Sequence, residues 1–349
     1  MSKLSYLPIL ELARSGVTES AHYGSVSVVN AQGKLLAWYG NPLVVTFLRS
    51  AAKPFQALPL IDSVGHETIN LTQEEIAIIC ASHSGTDQHV SVVKAIQSKI
   101  GLSEADLNCG IHPPIHKPTA RKLIERGIEP SAIHNNCSGK HTGMLALARI
   151  QNMPTSDYID TDHPVQQIIL KTFSEMCDLN PQEIGLGIDG CSVPTFAIPL
   201  QNVSFAYARL CDPAELSIRR ASSCRTITSA MMAHPEMVAG PGRFDTRLMQ
   251  VAQGRIIAKG GAEGFQGLGL LPGALNPNSP GIGIAIKIAD GDKAGRARSA
   301  VALEVLHQIG ALSTNELEKL GDFGITRNLL NWRDIVVGKS RPCFTLQMS

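Results

Sequence analysis

"GSVSVVNAQGKLLAWYG", residues 24–40, places two apolar-rich runs on either side of Asn30-Ala31-Gln32-Gly33. Two β-prone runs joined by a short Asn/Gly turn predict a hairpin, and hence antiparallel pairing. A third β-rich run, "LVVTFL" (43–48), leads directly into Ser50. Near the other end, "GRIIAKGG" (254–261), the apolar part of "PGALNPNSPGIGIAIKIADGD" (272–292) and "RDIVVG" (333–338) also read as strands, with Lys259 at an exposed strand tip. Between these ends helical patterns dominate. Thr72 and Glu75 have capping-box spacing, so a short helix delivers Ser82-His83-Ser84-Gly85 at its C-terminal end. Further helices are predicted near 90–101, 118–126, 139–151, 164–177, 214–233, 244–252 and 293–310. Strands at both ends with helices between them predict an α+β fold, an antiparallel sheet flanked by helices rather than a parallel one. No repeat and no linker is visible, so residues 1–349 are expected to form a single domain.

Composition narrows the function. Apolar residues make up 44% and charged residues 17%, with 31 basic against 30 acidic residues and a formal net charge of +1. No like-charge run suggests a nucleic-acid or membrane-surface partner. No stretch approaches the roughly 18 apolar residues of a membrane span, and Pro8 and Glu11 interrupt the only N-terminal apolar patch before signal-peptide length. The expectation is a cytoplasmic protein whose eight well-separated cysteines are reduced. "GLGIDG" (185–190) matches a dinucleotide fingerprint letter by letter, but Cys191-Ser192-Val193-Pro194 cannot open the helix that would receive a pyrophosphate.

In "FLRSAAKPFQ" (47–56), Ser50 stands three residues before Lys53. A serine hydroxyl is unreactive at neutral pH until a neighbour takes its proton. A lysine can do so once burial or another positive charge lowers its affinity for protons. One helical turn would place both side chains on one face. Pro54 disturbs that geometry, because its ring presses on the Ser50 carbonyl and Lys53 is biased away from helical angles. The turn is therefore tightened, or the helix starts at Pro54. Ser50-x-x-Lys53, then Ser82-His83-Ser84, then Lys259-Gly260-Gly261 follow the order of the three motifs of serine β-lactamases and penicillin-binding proteins. The middle motif departs from theirs, which puts a penicillin substrate in doubt.

Five segments, "FLRSAAKPFQALPL", "CASHSGTDQH", "NNCSGKHTGML", "GIDGCSVPTFAIPL" and "AKGGAEG", resemble in order the motifs of the Rhizobium etli-type L-asparaginases, often labelled asparaginase II. The resemblance runs from about residue 20 to about residue 340. It implies a serine β-lactamase/penicillin-binding-protein-like fold, a homodimer, and hydrolysis of L-asparagine to L-aspartate and ammonia. It also implies two serine–lysine pairs, Ser50 with Lys53 and Ser82 with Lys259. Ser50 would attack the side-chain amide, Lys53 would accept its proton, and Ser82 with Lys259 would relay a proton to the ammonia. A zinc ion would be held by Cys137, Lys140 and Cys191, beside Asp189. From the residues alone, two isolated cysteines are a weak metal signal, and a protonated lysine binds no cation. Arg49, His83 and His141 lie within the motif blocks. Arg49 reads either as a carboxylate partner or as a surface residue; either histidine could bind substrate or steady a ligand. Two other readings stay open: an acyl-serine enzyme acting on β-lactams or D-peptides, and a non-catalytic metal-binding protein of the same fold.

Overall fold

The computed structural model describes residues 6–63 and 65–349. The first five residues, part of the stretch read above for a leader, lie outside them. The chain divides into two compact units. One comprises the chain through Ala51 with Ile198–Asp212 and Val251–Ser349; the other comprises Ala52–Ala197 and Pro213–Gln250.

The first unit is built on an antiparallel sheet drawn from both ends of the chain, as expected. Strands Leu7–Arg14, Val17–Asn30, Ile282–Ile288, Phe265–Leu270 and Ile256–Gly261 lie side by side in that order, and Val336–Pro342 and Arg327–Leu330 extend the sheet beyond Leu7–Arg14. The predicted hairpin is present: Val26 pairs with Tyr39 and Val28 with Ala37. Gly33, at φ 78°, turns the chain and donates its N–H to Asn30 O. Ile282–Ile288 is buried at all seven positions, so helices must cover it. Leu200–Cys211 and Arg298–Gln308 both pack on it. The first of these helices has no strong sequence signal, and it sits so close that a Cβ on Gly283 would lie 1.7 Å from Ser204 O.

Helices dominate the second unit. Lys53–Asp62 is buried at every position from Lys53 to Ile61 and packs against Ser138–Ile150, Pro164–Cys177 and Ile218–Ala233. A helix buried on all sides is a central one. Phe55 meets Phe173 edge-on at 5.9 Å, and Phe173 stacks on Phe196 at 4.3 Å. The capping box predicted at Thr72 and Glu75 starts the helix Gln73–Ile79.

Three expectations are corrected. The helix predicted from 214 begins at Ile218, because Ser217 caps it by accepting the Arg220 N–H. The helix predicted from 293 begins at Arg298, because the Asp292 carboxylate gathers the backbone N–H groups of Arg296, Ala297 and Arg298 ahead of it. Lys259 is not at an exposed tip: it is 1% exposed, because its strand continues to Gly261 and pairs residue by residue with Phe265–Leu270.

Candidate active site

In the first unit, Ser50 lies in a 3-10 turn, Arg49–Ala52, and the regular helix begins at Lys53 with Pro54 in its first turn. The proline that clashes inside a helix is tolerated at its start, so the tightened turn anticipated from Pro54 is what forms. Arg49 takes a left-handed φ of 52°, a strained conformation of the kind that gathers at functional sites. The end of the Lys259 strand runs beside this turn. A Cβ on Gly261 would come 2.4 Å from Leu48 O and 3.5 Å from Ala51 N. Tyr207 braces both: its hydroxyl donates to Ala51 O at 2.7 Å, and its ring fills the space a side chain on Gly267, the register partner of Lys259, would need. Lys259 Nζ donates to Gly260 O at 2.9 Å.

The second unit holds most of the remaining candidates. Gly139 and Gly143, one turn apart, let the helix Ser138–Ile150 approach Gln73–Ile79: a Cβ on Gly139 would be 2.3 Å from Ile78 O, and one on Gly143 2.5 Å from Ile79 Cγ2. Only glycine permits backbones so close. The stretch leaving the first helix, Ser82–Gly85, is fixed by Ser82 N–H donating to Val238 O and by the Ser84 hydroxyl donating to Ala239 O. The stretch entering the second is fixed by Asn135, whose side-chain amide donates to Cys109 O and Gly110 O while its oxygen accepts the Cys137 N–H.

Lys53 connects these stretches. It is fully buried, and its Nζ donates to Ala81 O at 2.5 Å and to Asn136 O at 3.2 Å, with Ser82 Oγ at 3.1 Å. The two carbonyls can only accept, so they orient two of the amine's N–H bonds. Beyond the carbonyls the amine meets the Ser82 hydroxyl, which accepts from an ammonium and donates to a neutral amine, with the Cys137 sulfur also within its reach. That is the arrangement a serine–lysine proton exchange needs. The pairing itself was not legible in the sequence, where Lys53 points to Ser50.

Cys137, Lys140 and Cys191 converge in the same unit and are all buried. Lys140 Nζ donates to Cys191 Sγ at 2.9 Å. The Cys137 thiol is held well below its usual range by its hydrogen bond with Cys191 and then, against burial, by Lys53 and Lys140. Cys191 is pushed up by Cys137 and by burial. Burial lowers Lys140, but Cys191, Cys137 and Asp189 outweigh it and raise the lysine. Among the described residues no three His, Cys, Asp or Glu side chains are grouped to hold a metal. Two buried sulfurs are donors that zinc takes, and the Lys140 nitrogen could join them only once its proton is displaced.

His83 uses both ring nitrogens within the protein. Nδ1 accepts the Gly85 N–H at 3.2 Å, and Nε2 lies 2.9 Å from Ser138 Oγ, whose own proton goes to Ile133 O. Burial, followed by His89 and Lys53, holds this imidazole well below its usual range, so it is neutral. His141 is fully buried, with Nδ1 2.7 Å from the Tyr158 hydroxyl. Asp189 accepts the Gly190 N–H on its carboxylate at 2.8 Å. Tyr158 and Tyr207 carried no sequence signal, and Asn135 and Asn136 lay in the NNCSGKHTGML motif without a role assigned to them; the Gly-x-x-x-Gly spacing of Gly139 and Gly143 was readable and marks the close helix contact.

The sequence model of the family described as "L-asparaginase II" matches residues 10–342. The chain belongs to the L-asparaginase II family. Its members hydrolyse amides, and the chain is in that class of enzyme. A comparison with curated proteins finds no match. Among solved structures it is remotely similar to a probable glutaminase of Bacillus subtilis, at 12% identity and TM-score 0.40, covering 82% of this chain and 88% of that one. A second is the covalent complex of a B. subtilis glutaminase with 5-oxo-L-norleucine, at 13% identity and TM-score 0.39, covering 83% and 89%. A third is a Bacillus glutaminase, at 11% identity and TM-score 0.39, covering 83% and 92%. No helix among the described residues is long and apolar enough to cross a membrane.

Proposed function

We propose that this member of the L-asparaginase II family hydrolyses L-asparagine to L-aspartate and ammonia through an acyl-serine intermediate. One observation carries the reading: Lys53 Nζ is held between two carbonyl acceptors and meets the Ser82 hydroxyl. Ser50 Oγ attacks the carbon of the side-chain amide and passes its proton to Lys53, while the C=O electron pair moves to oxygen. Collapse of this tetrahedral species breaks the C–N bond. The proton held by Lys53 passes through Ser82 to the departing nitrogen, with Lys259 as the second proton carrier, and ammonia leaves. Water then repeats the sequence on the ester and releases aspartate and free Ser50. Arg49 binds the substrate carboxylate; Asp189 and His141 bind its polar groups; and His83 braces Ser138 from behind. Cys137, Lys140 and Cys191 would hold zinc, whose positive charge would displace the proton of Lys140. When bound, zinc supplies a Lewis-acidic anchor that orients the substrate. Two copies of the chain form the working enzyme.

Ammonia release from L-asparagine, L-glutamine and D-asparagine tests the substrate. Release from L-asparagine alone or foremost, with Ser50→Ala near background, is expected; no release from any amide overturns the proposal. Metal analysis of wild type beside Cys137→Ser tests zinc separately. About one zinc per chain, lost in the variant, is expected; metal-free protein of full activity contradicts it.

A further inference from the structure

One buried group near the cluster carries a proton whose position is set from outside it. Tyr158 is fully buried, and its hydroxyl oxygen accepts the backbone N–H of Asn108 at 2.9 Å. The same hydroxyl lies 2.7 Å from His141 Nδ1, with the two rings edge-to-face at 5.5 Å and 81°. The Asn108 N–H can only donate, so it occupies an acceptor site on the phenol oxygen and leaves the phenol proton for His141. A phenol donating to Nδ1 makes Nδ1 the acceptor, so the proton of a neutral imidazole sits on Nε2. Nε2 is buried with no hydrogen-bond partner among the described residues. The backbone carbonyl of Cys191 interacts weakly with this ring, short of a full hydrogen bond, and Lys140 lies beside it. A buried N–H with only so weak a partner is costly and calls for a better acceptor. Tyr158 is itself anchored, because the Gln166 side-chain amide donates to its carbonyl oxygen at 2.8 Å.

We propose that Tyr158 is a positioning residue: by donating to Nδ1 of His141 it fixes the Nε2–H tautomer and presents that N–H as the donor for a substrate oxygen beside Lys140 and Cys191. This rests on the functional reading above only for the identity of the acceptor. The tautomer does not depend on it.

Two readouts test the proposal. Nitrogen chemical shifts of the His141 ring in the wild-type enzyme at neutral pH are expected to show a protonated Nε2 and an accepting Nδ1; a protonated Nδ1 overturns the proposal outright and requires no variant. Tyr158→Phe keeps the ring and removes the donor. It is expected to release the tautomer preference and to lower kcat/KM by about 10–100-fold, the usual cost of losing a group that orients another. In His141→Gln, whose amide still offers a donor but has no Nδ1, adding Tyr158→Phe is expected to cost little more. Fully additive losses would mean that Tyr158 acts only through packing, and would also overturn the proposal. An enzyme that hydrolyses no amide but shows the expected tautomer would sink the functional reading and leave the Tyr158 assignment standing.

Discussion

The sheet unit and the helical unit bury different things. Strands such as Ile282–Ile288 and Phe265–Leu270 bury nearly continuous apolar runs, with Lys259 and Lys287 as charged exceptions. The helical unit buries Lys53, Lys140, Cys137, Cys191, His83, His89 and His141. Burying such groups costs free energy unless each is paired. Here backbone carbonyls hold Lys53, a hydroxyl and backbone groups hold His83 and His89, and the two cysteines with Asp189 surround Lys140. A region that accepts this cost is organised for chemistry, whereas the apolar sheet supplies stability and holds the turn that bears Ser50.

This contrast can be broken in graded steps. The largest effect is expected in the helical unit from Ser82→Ala, which removes the hydroxyl on Lys53 Nζ. Amide hydrolysis should fall by about 10²–10⁴-fold, the usual worth of a positioned proton carrier, with little change in urea midpoint. Next are two matched overpacking variants. Gly283→Ala in the sheet unit and Gly139→Ala in the helical unit each drive a methyl into a carbonyl oxygen, at 1.7 Å and 2.3 Å. Each should lose about 1–3 kcal/mol or more in urea unfolding, with Gly283→Ala the worse. Only Gly139→Ala should also reduce activity beyond its loss of folded protein.

Acid should act on the helical unit first. His89 accepts the Thr86 N–H on Nδ1 at 3.0 Å and lies 2.9 Å from Glu236 O through Nε2. Burial holds its affinity for protons below the usual range, and His83 lies lower still. The unfolded chain protonates these rings near pH 6.5 while the folded chain does not, so stability is lost as pH falls below about 6.5. Urea midpoints between pH 7.5 and 5 should decline. His89→Gln, which keeps a capping side chain but cannot charge, should decline less. The smallest effect is expected from Trp332→Ala on the sheet unit: the side chain is fully exposed and should change stability by less than about 0.5 kcal/mol.

The sheet unit was the more legible of the two in the sequence. Apolar-rich runs and the Asn30–Gly33 turn specify strand pairing locally. What escaped notice there was Leu200–Cys211, whose burial depends on partners far away in sequence. In the helical unit the motif residues were readable as types, but their partners were not. Ser50-x-x-Lys53 directs attention to a neighbour in sequence, while the hydroxyl on Lys53 belongs to Ser82, 29 residues on. Hydrogen bonds from one loop to another, as at Asn135 and Tyr158, leave no periodic trace.

The central claim is that the buried Lys53 amine moves the protons of amide hydrolysis. Its most direct test is kcat for ammonia release from L-asparagine, as a function of pH, in wild type and in Lys53→Met, a variant of similar length and volume that cannot carry a proton. A loss of at least about a hundredfold across the whole pH range, with folded protein retained, is the predicted result. A Lys53→Met enzyme that keeps wild-type kcat would contradict it.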